Sequence, residues 1–277
     1  MRKLMGFLLL ACWQVCLYAG NYEVVSPDGK LKVALTVSDG LGMEVFYDGQ
    51  SLFGALNMGL CLQQQPFKPV ARSVKRSSVN EIITPVVPLK FVSVANHYNA
   101  LRLNLKGNLA IEFRAYDDGM AYRFVTNGDG KKTLVYNETA DFYLPEEAVL
   151  HLQQPVGFKT PYEEPYSHVA MKERKDGSKF ALLPLLVDTK KGVKLLFSES
   201  DLYDYPCMFL KANEGKGVSA LFPRYPLETK PISDRSVNVV READYIAETQ
   251  AKRTFPWRYV VVAREDSDLV ENTFTCR

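Results

Sequence analysis

The residues able to do chemistry in this chain fall into a few unusual groupings. Thr160–His168 reads TPYEEPYSH, with paired tyrosines, paired prolines and two adjacent glutamates. Proline fixes φ and removes backbone donors, so the stretch fits neither a helix interior nor a central strand. It reads as a loop. Either it is a plain surface connection, or it reaches a carbohydrate site and offers a carboxylate there. Two further adjacent carboxylate pairs are Asp117-Asp118 and Glu146-Glu147. Glycoside hydrolysis needs two carboxyl groups several ångströms apart, flanking a sugar. Neighbouring strand residues point to opposite faces, so an adjacent pair does not supply both groups. Asp117-Asp118 therefore reads as turn chemistry and Glu146-Glu147 as a solvated loop. The histidines His97, His151 and His168 are far apart in sequence, and each alone reads as a structural residue. Brought close to a glutamate, one of them would suit acid–base work on a sugar ring. The sequence has no dinucleotide fingerprint, P-loop, zinc-protease helix or nucleophile elbow.

The elements that must position these groups are strands. KLKVALTVS places Leu31, Val33, Leu35 and Val37 on one face, at the period of two expected of a half-buried strand. Asp-Gly, favoured in tight hairpins, follows at 28–29, 39–40, 48–49, 118–119, 129–130 and 176–177. LRLNLKG alternates again, and LAIEFRAYDDGMAYRFV reads as two strands joined at Asp117-Asp118-Gly119. FALLPLLVDT and GVKLLFSES read as a pair across Lys190-Lys191-Gly192, and PWRYVVVA as a late apolar strand. SDLYDY and DSDLVEN fit short helical turns, but no amphipathic helix of three turns is present. The fold class is all-β, a large antiparallel β-sandwich with no linker to split it.

With 47% hydrophobic and 24% charged residues, the chain is an ordinary globular one. Residues 1–20, MRKLMGFLLLACWQVCLYAG, have the basic, apolar and small-residue parts of a secretory signal, which points to a periplasmic or secreted protein. A lipoprotein signal at Cys12 is the rival reading. Loss of Arg2 and Lys3 leaves as many basic residues as the 32 acidic ones, which argues against an electrostatically driven nucleic-acid partner. ARSVKRSS (71–78), the one local basic cluster, reads as a solvated loop. The cysteines beyond the signal, Cys61, Cys207 and Cys276, form no disulfide framework or zinc spacing, and Cys61 and Cys207 read as small buried hydrophobes.

Four stretches, in order, resemble one family. They are VVSPDGKLKVALTV, IEFRAYDDGMAYRF, SDLYDYPCMFL and RTFPWRYVVVAREDSDLVEN. Together they are similar to the amino-terminal domain of glycoside hydrolase family 97, the Bacteroidetes α-glucosidases and α-galactosidases. The resemblance implies a sandwich (residues 21–265) like galactose mutarotase domains, followed in the family by a (β/α)8 barrel that carries the catalytic carboxylates. It also implies calcium dependence, with one ligand from the sandwich. Residue by residue, Glu163 matches that ligand and Glu164 is the fallback, while barrel glutamates supply the rest. On this reading residues 266–277 are a truncated linker toward a missing barrel, and no catalytic residue is assigned. Tyr162 and Tyr166 either pack the loop or line the carbohydrate site. Trp257 reads as a core or interdomain anchor, Arg258 as a salt-bridge partner near the barrel, and Arg114 and Arg123 as partners of sheet-face carboxylates. An apolar surface is expected at TPYEEPYSH and FPWRYV, where the barrel would cover it. The implied function is an accessory domain of a calcium-dependent α-glycosidase that binds an oligosaccharide or α-glycoside substrate together with the barrel. The alternatives are a stand-alone carbohydrate-binding module and a mutarotase-like epimerase.

Overall fold

Alternating side chains and Asp-Gly turns build the first strands of the computed structural model, which describes residues 20–88, 90–174, 179–213 and 217–277. β1 (Gly20–Val25), β2 (Leu31–Val37), β3 (Leu41–Tyr47) and β4 (Gln50–Leu62) form an antiparallel meander. Asp48 and Gly49, at φ 47° and 78°, make the turn between β3 and β4. Positive φ at both central residues matches the right-handed twist of the flanking strands, and Asp and Gly tolerate it best. β5 (Ala71–Ile83), β6 (Val94–Leu105) and β7 (Leu109–Tyr116) form a second meander.

β8 (Gly119–Tyr143) joins the two layers. Its first half pairs with β7 and its second with β4. Asp129-Gly130 was expected to turn a hairpin. Instead it lies inside β8, where residues 128–131 bulge opposite Ala251. The flanking halves both pair with one partner strand, so the dipeptide bends the chain without reversing it. The turn expected at Asp176-Gly177 lies outside the described residues.

The rest of the chain widens both sheets. β9 (Val149–Leu152), β10 (Ser167–Ala170), β11 (Leu185–Asp188) and β12 (Lys194–Ser200) continue the layer that holds the first half of β8. β13 (Phe209–Asn213) and β14 (Gly217–Leu221) extend the other layer. β15 (Pro226–Ser233) and β16 (Ser236–Glu242) form a separate, almost wholly exposed ribbon. β17 (Ala247–Thr254) follows the bend of β8, and β18 (Trp257–Ala263) lies between β8 and β12. The expected pairing of FALLPLLVDT with GVKLLFSES is that of β11 with β12.

The core is the space between the layers. Phe53 of β4 and Phe142 of β8 meet Phe197 of β12 edge-on, with centroids 5.2 and 5.4 Å apart. Such T-shaped pairs add about 0.5–1.5 kcal/mol each beyond the area they bury. ARSVKRSS is strand, not loop. It forms most of β5, which among the described residues pairs only with β6, and its basic side chains are exposed. Charged residues on an edge strand oppose pairing with another chain.

DSDLVEN supplies α1 (Asp266–Glu271), whereas SDLYDY is irregular. No helix among the described residues is long and apolar enough to cross a membrane. Beyond α1 the chain packs back on the sandwich. Phe274 stacks on Tyr259 and meets Tyr116 edge-on, and Arg277 pairs with Asp118.

Candidate functional site

The loop 160–166 is irregular and leads directly into β10. It is pinned at three points. Phe158 stacks on Phe180 (4.7 Å) and meets Phe209 (5.0 Å), and Tyr162 lies 6.4 Å from the Phe209 ring. The Tyr162 hydroxyl donates to the Phe158 carbonyl. Gln153 Nε2, just past β9, donates to the Glu164 carbonyl at 2.6 Å. Tyr162 sits at φ 59°, a left-handed conformation that costs a bulky residue on the order of 1–3 kcal/mol. The aromatic cluster and the carbonyl bond hold it there, and burial raises its phenol pKa.

The two tyrosines have different surroundings. Tyr162 packs the loop to the sandwich. Tyr166 is 56% exposed and makes no aromatic or hydrogen-bond contact among the described residues. Glu163 is exposed and Glu164 half-buried, and neither carboxylate has a hydrogen-bond or ion-pair partner among the described residues. Calcium takes six to eight oxygen ligands. No group of three or more His, Cys, Asp or Glu is arranged to hold a metal among the described residues. The two loop carboxylates by themselves fall short of that ligand number.

Other expectations fare differently. The loop shows exposed tyrosines, but Phe255–Val260 is buried throughout, so no apolar surface exists at FPWRYV. β18 has neighbours on both sides, one face in the core and the other covered by Tyr98, Tyr116, Phe274 and the guanidinium groups of Arg114 and Arg123, which is why every residue in it is covered. Trp257 is held between the guanidinium groups of Arg114 (4.3 Å) and Arg123 (4.2 Å). Arg123 pairs with Glu112 as expected, at 2.8 Å. Arg114 instead stacks on Tyr98 and donates to the Tyr116 hydroxyl. Asp117 does more than make a turn, because its Oδ1 accepts from the Asp28 backbone N–H at 2.9 Å. Cys207 is exposed and Cys61 half-exposed, so neither is a core hydrophobe. Glu146 and Glu147 are exposed, as a solvated loop requires.

Arg258 lies in the core. Its guanidinium grips Glu138 through bonds of 2.9 and 3.1 Å and also binds Glu199, whose carboxylate accepts from the Met208 N–H. Side-chain exposure is 2%, 3% and 7% for Arg258, Glu138 and Glu199. Burial raises the Glu199 carboxyl pKa despite the adjacent cation. Sequence carried a signal for this triad. Glu138 is in phase with Ala140 and Phe142, Glu199 with Leu195 and Phe197, and Arg258 with Val260 and Val262. Charges on the apolar phase of a strand must pair inside. His151 and His168, read separately in the sequence, meet at 2.6 Å between their Nδ1 atoms, and neither bonds a glutamate among the described residues.

Comparison with known proteins fits this architecture. A retaining α-galactosidase from Bacteroides thetaiotaomicron is 31% identical over 97% of this chain and 43% of its own length. A glycoside hydrolase family 97 enzyme from Pseudoalteromonas sp. strain K8, solved in complex with panose, superposes with a TM-score of 0.75 at 17% identity, covering 91% of this chain and 37% of its own. A β-arabinopyranosidase superposes at 0.71 with 20% identity, over 88% of this chain and 40% of its own. The chain thus spans less than half the length of each of these relatives. The family model described as Glycosyl-hydrolase 97 N-terminal matches residues 24–277, and the chain belongs to that family.

Proposed function

We propose that the chain acts as the amino-terminal accessory sandwich of a calcium-dependent α-glycosidase. In this reading it packs against a catalytic (β/α)8 barrel and has no complete hydrolytic site of its own. The observation that carries the reading is the Glu163 carboxylate, exposed and without a partner among the described residues, on a loop fixed by Tyr162 and Gln153. An exposed acid on an ordered loop is preorganised to complete an oxygen-rich site when further carboxylates arrive. Calcium there would neutralise and orient groups at the edge of the sugar site. Glu163 is the ligand, Glu164 the fallback, and Tyr166 the residue free to face an α-glycoside. The amino-terminal segment directs the protein to the periplasm or out of the cell.

The test is a chimaera in which residues 20–277 replace the matched portion of the Bacteroides thetaiotaomicron enzyme. Calcium-dependent hydrolysis of an α-galactoside should fall more with Glu163→Gln than with Glu164→Gln. Identical calcium dependence in Glu163→Gln and the parent chimaera would overturn the ligand assignment.

A second reading, a stand-alone carbohydrate-binding module, draws on a cleft of about 500 Å³ lined by Tyr205, Arg224, Tyr225 and Glu248. Retardation of the isolated chain in gels containing α-glucan or galactan would favour that reading.

A further inference from the structure

His151 and His168 stand directly opposite each other on the antiparallel pair β9–β10. β10 is the last strand of its sheet path, so the pair faces outward at the sheet's edge. The rings meet edge-to-face, with centroids 4.6 Å and Nδ1 atoms 2.6 Å apart. Two nitrogens this close hold at most one proton between them. Each neutral imidazole can instead carry its proton on Nε2, and the two Nδ1 lone pairs then converge on one point. We propose that His151 and His168 form a bidentate site for a divalent transition metal of the Zn²⁺ or Ni²⁺ type, ligated through both Nδ1 atoms and completed by water.

The backbone register makes the chelate ready-made, because directly opposed residues hold their Cβ atoms about 4.5–5.5 Å apart. A tetrahedral zinc with bonds of about 2.0–2.1 Å needs its nitrogens roughly 3.3 Å apart. A small rotation of the exposed His168 ring provides that opening. A proton shared between the Nδ1 atoms shifts to Nε2 of its ring on binding, and none is released when both rings start neutral. The charged groups around the pair are already engaged. Lys190 pairs with Asp188 at 2.7 Å and Lys194 pairs with Asp266, while Leu186 sits across from His151 on β11. Burial and the neighbouring His168 hold the His151 pKa below its ordinary value, which favours the neutral ligand form. No third His, Cys, Asp or Glu converges among the described residues, so water fills the remaining positions. The site is chemically distinct from a calcium site at Glu163, because imidazole nitrogen selects borderline transition metals and carboxylate oxygen selects calcium.

The test is calorimetric titration of ZnCl₂ and NiCl₂ into the untagged chain at pH 7.5, with its thiols alkylated to remove the cysteines as competitors. One saturable site is expected, and millimolar CaCl₂ should not compete for it. His168→Gln and His151→Gln should each weaken binding roughly tenfold or more, since losing one ligand removes the chelate advantage. His97→Gln should leave binding unchanged. Thermal melts of the metal-free variants identify any that fails to fold. His168 is exposed, so its variant keeps the test decisive if His151→Gln unfolds. Absence of saturable binding, or equal affinity in His168→Gln and wild type, would overturn the proposal.

Discussion

Two pairs of glutamates in this protein meet opposite fates. Glu138 and Glu199 lie in the core, both held by Arg258, and Glu199 also accepts from the Met208 N–H. Glu163 and Glu164 sit on a loop where the backbone is pinned and the carboxylates are free among the described residues. The first pair is satisfied within the fold, so nothing outside the fold is needed to explain it. The second is ordered without being satisfied, which is what a ligand awaiting other ligands requires. Polar groups that the fold consumes are structural, and polar groups that it positions and leaves open are candidates for function.

The largest break in this contrast comes from Arg258→Met. It strands two buried carboxylates and should cost about 3–5 kcal/mol in urea unfolding near pH 7.5. The deficit should shrink at pH 5. Burial already raises the folded Glu199 carboxyl, and loss of the Arg258 cation raises it further. A carboxyl raised on folding keeps its full stability below its unfolded value and loses it as pH climbs through the folded one. A deficit independent of pH would mean that the triad is not the source of the loss.

A smaller effect is expected at the loop's anchor. Tyr162→Phe removes the hydroxyl bond to the Phe158 carbonyl and keeps the ring against Phe209. It should cost about 0.5–1.5 kcal/mol. Amide exchange across 160–166 should rise while exchange in β8 stays unchanged.

The smallest effect separates the two glutamate pairs most sharply. Glu163→Gln and Glu164→Gln should each change the stability of the isolated chain by no more than about 0.5 kcal/mol, the range of surface substitutions without a structural role. A loss of several kcal/mol from either would show that the loop acid is consumed by the fold, and the contrast would fail.

Much of the sandwich was legible because strand alternation and turn chemistry are local. The strand β2 and the hairpins β7–β8 and β11–β12 stand where Leu/Val alternation and Asp-Gly or Lys-Gly turns place them. Asp129-Gly130 shows the limit, since the same dipeptide makes a bulge when both flanking halves pair with one strand. Strand register is not local. His151 opposes His168 only because β9 meets β10 in one particular alignment, and the spacing of the two residues does not encode that alignment. The triad was the accessible omission, since three charges sat on the apolar phase of their strands. For the loop, sequence supplied the residue types, and the structure separated the packing tyrosine, Tyr162, from the open one, Tyr166.

The central claim is that this sandwich contributes to a glycosidase site without being one. The direct measurement is release of product from 4-nitrophenyl α-galactoside and α-glucoside by the purified chain, with and without calcium. The account predicts no turnover above the buffer rate in any condition, because hydrolysis needs a facing pair of carboxyls and the loop offers one open arm. Robust hydrolysis by the isolated chain, abolished by a substitution within it, would contradict the account.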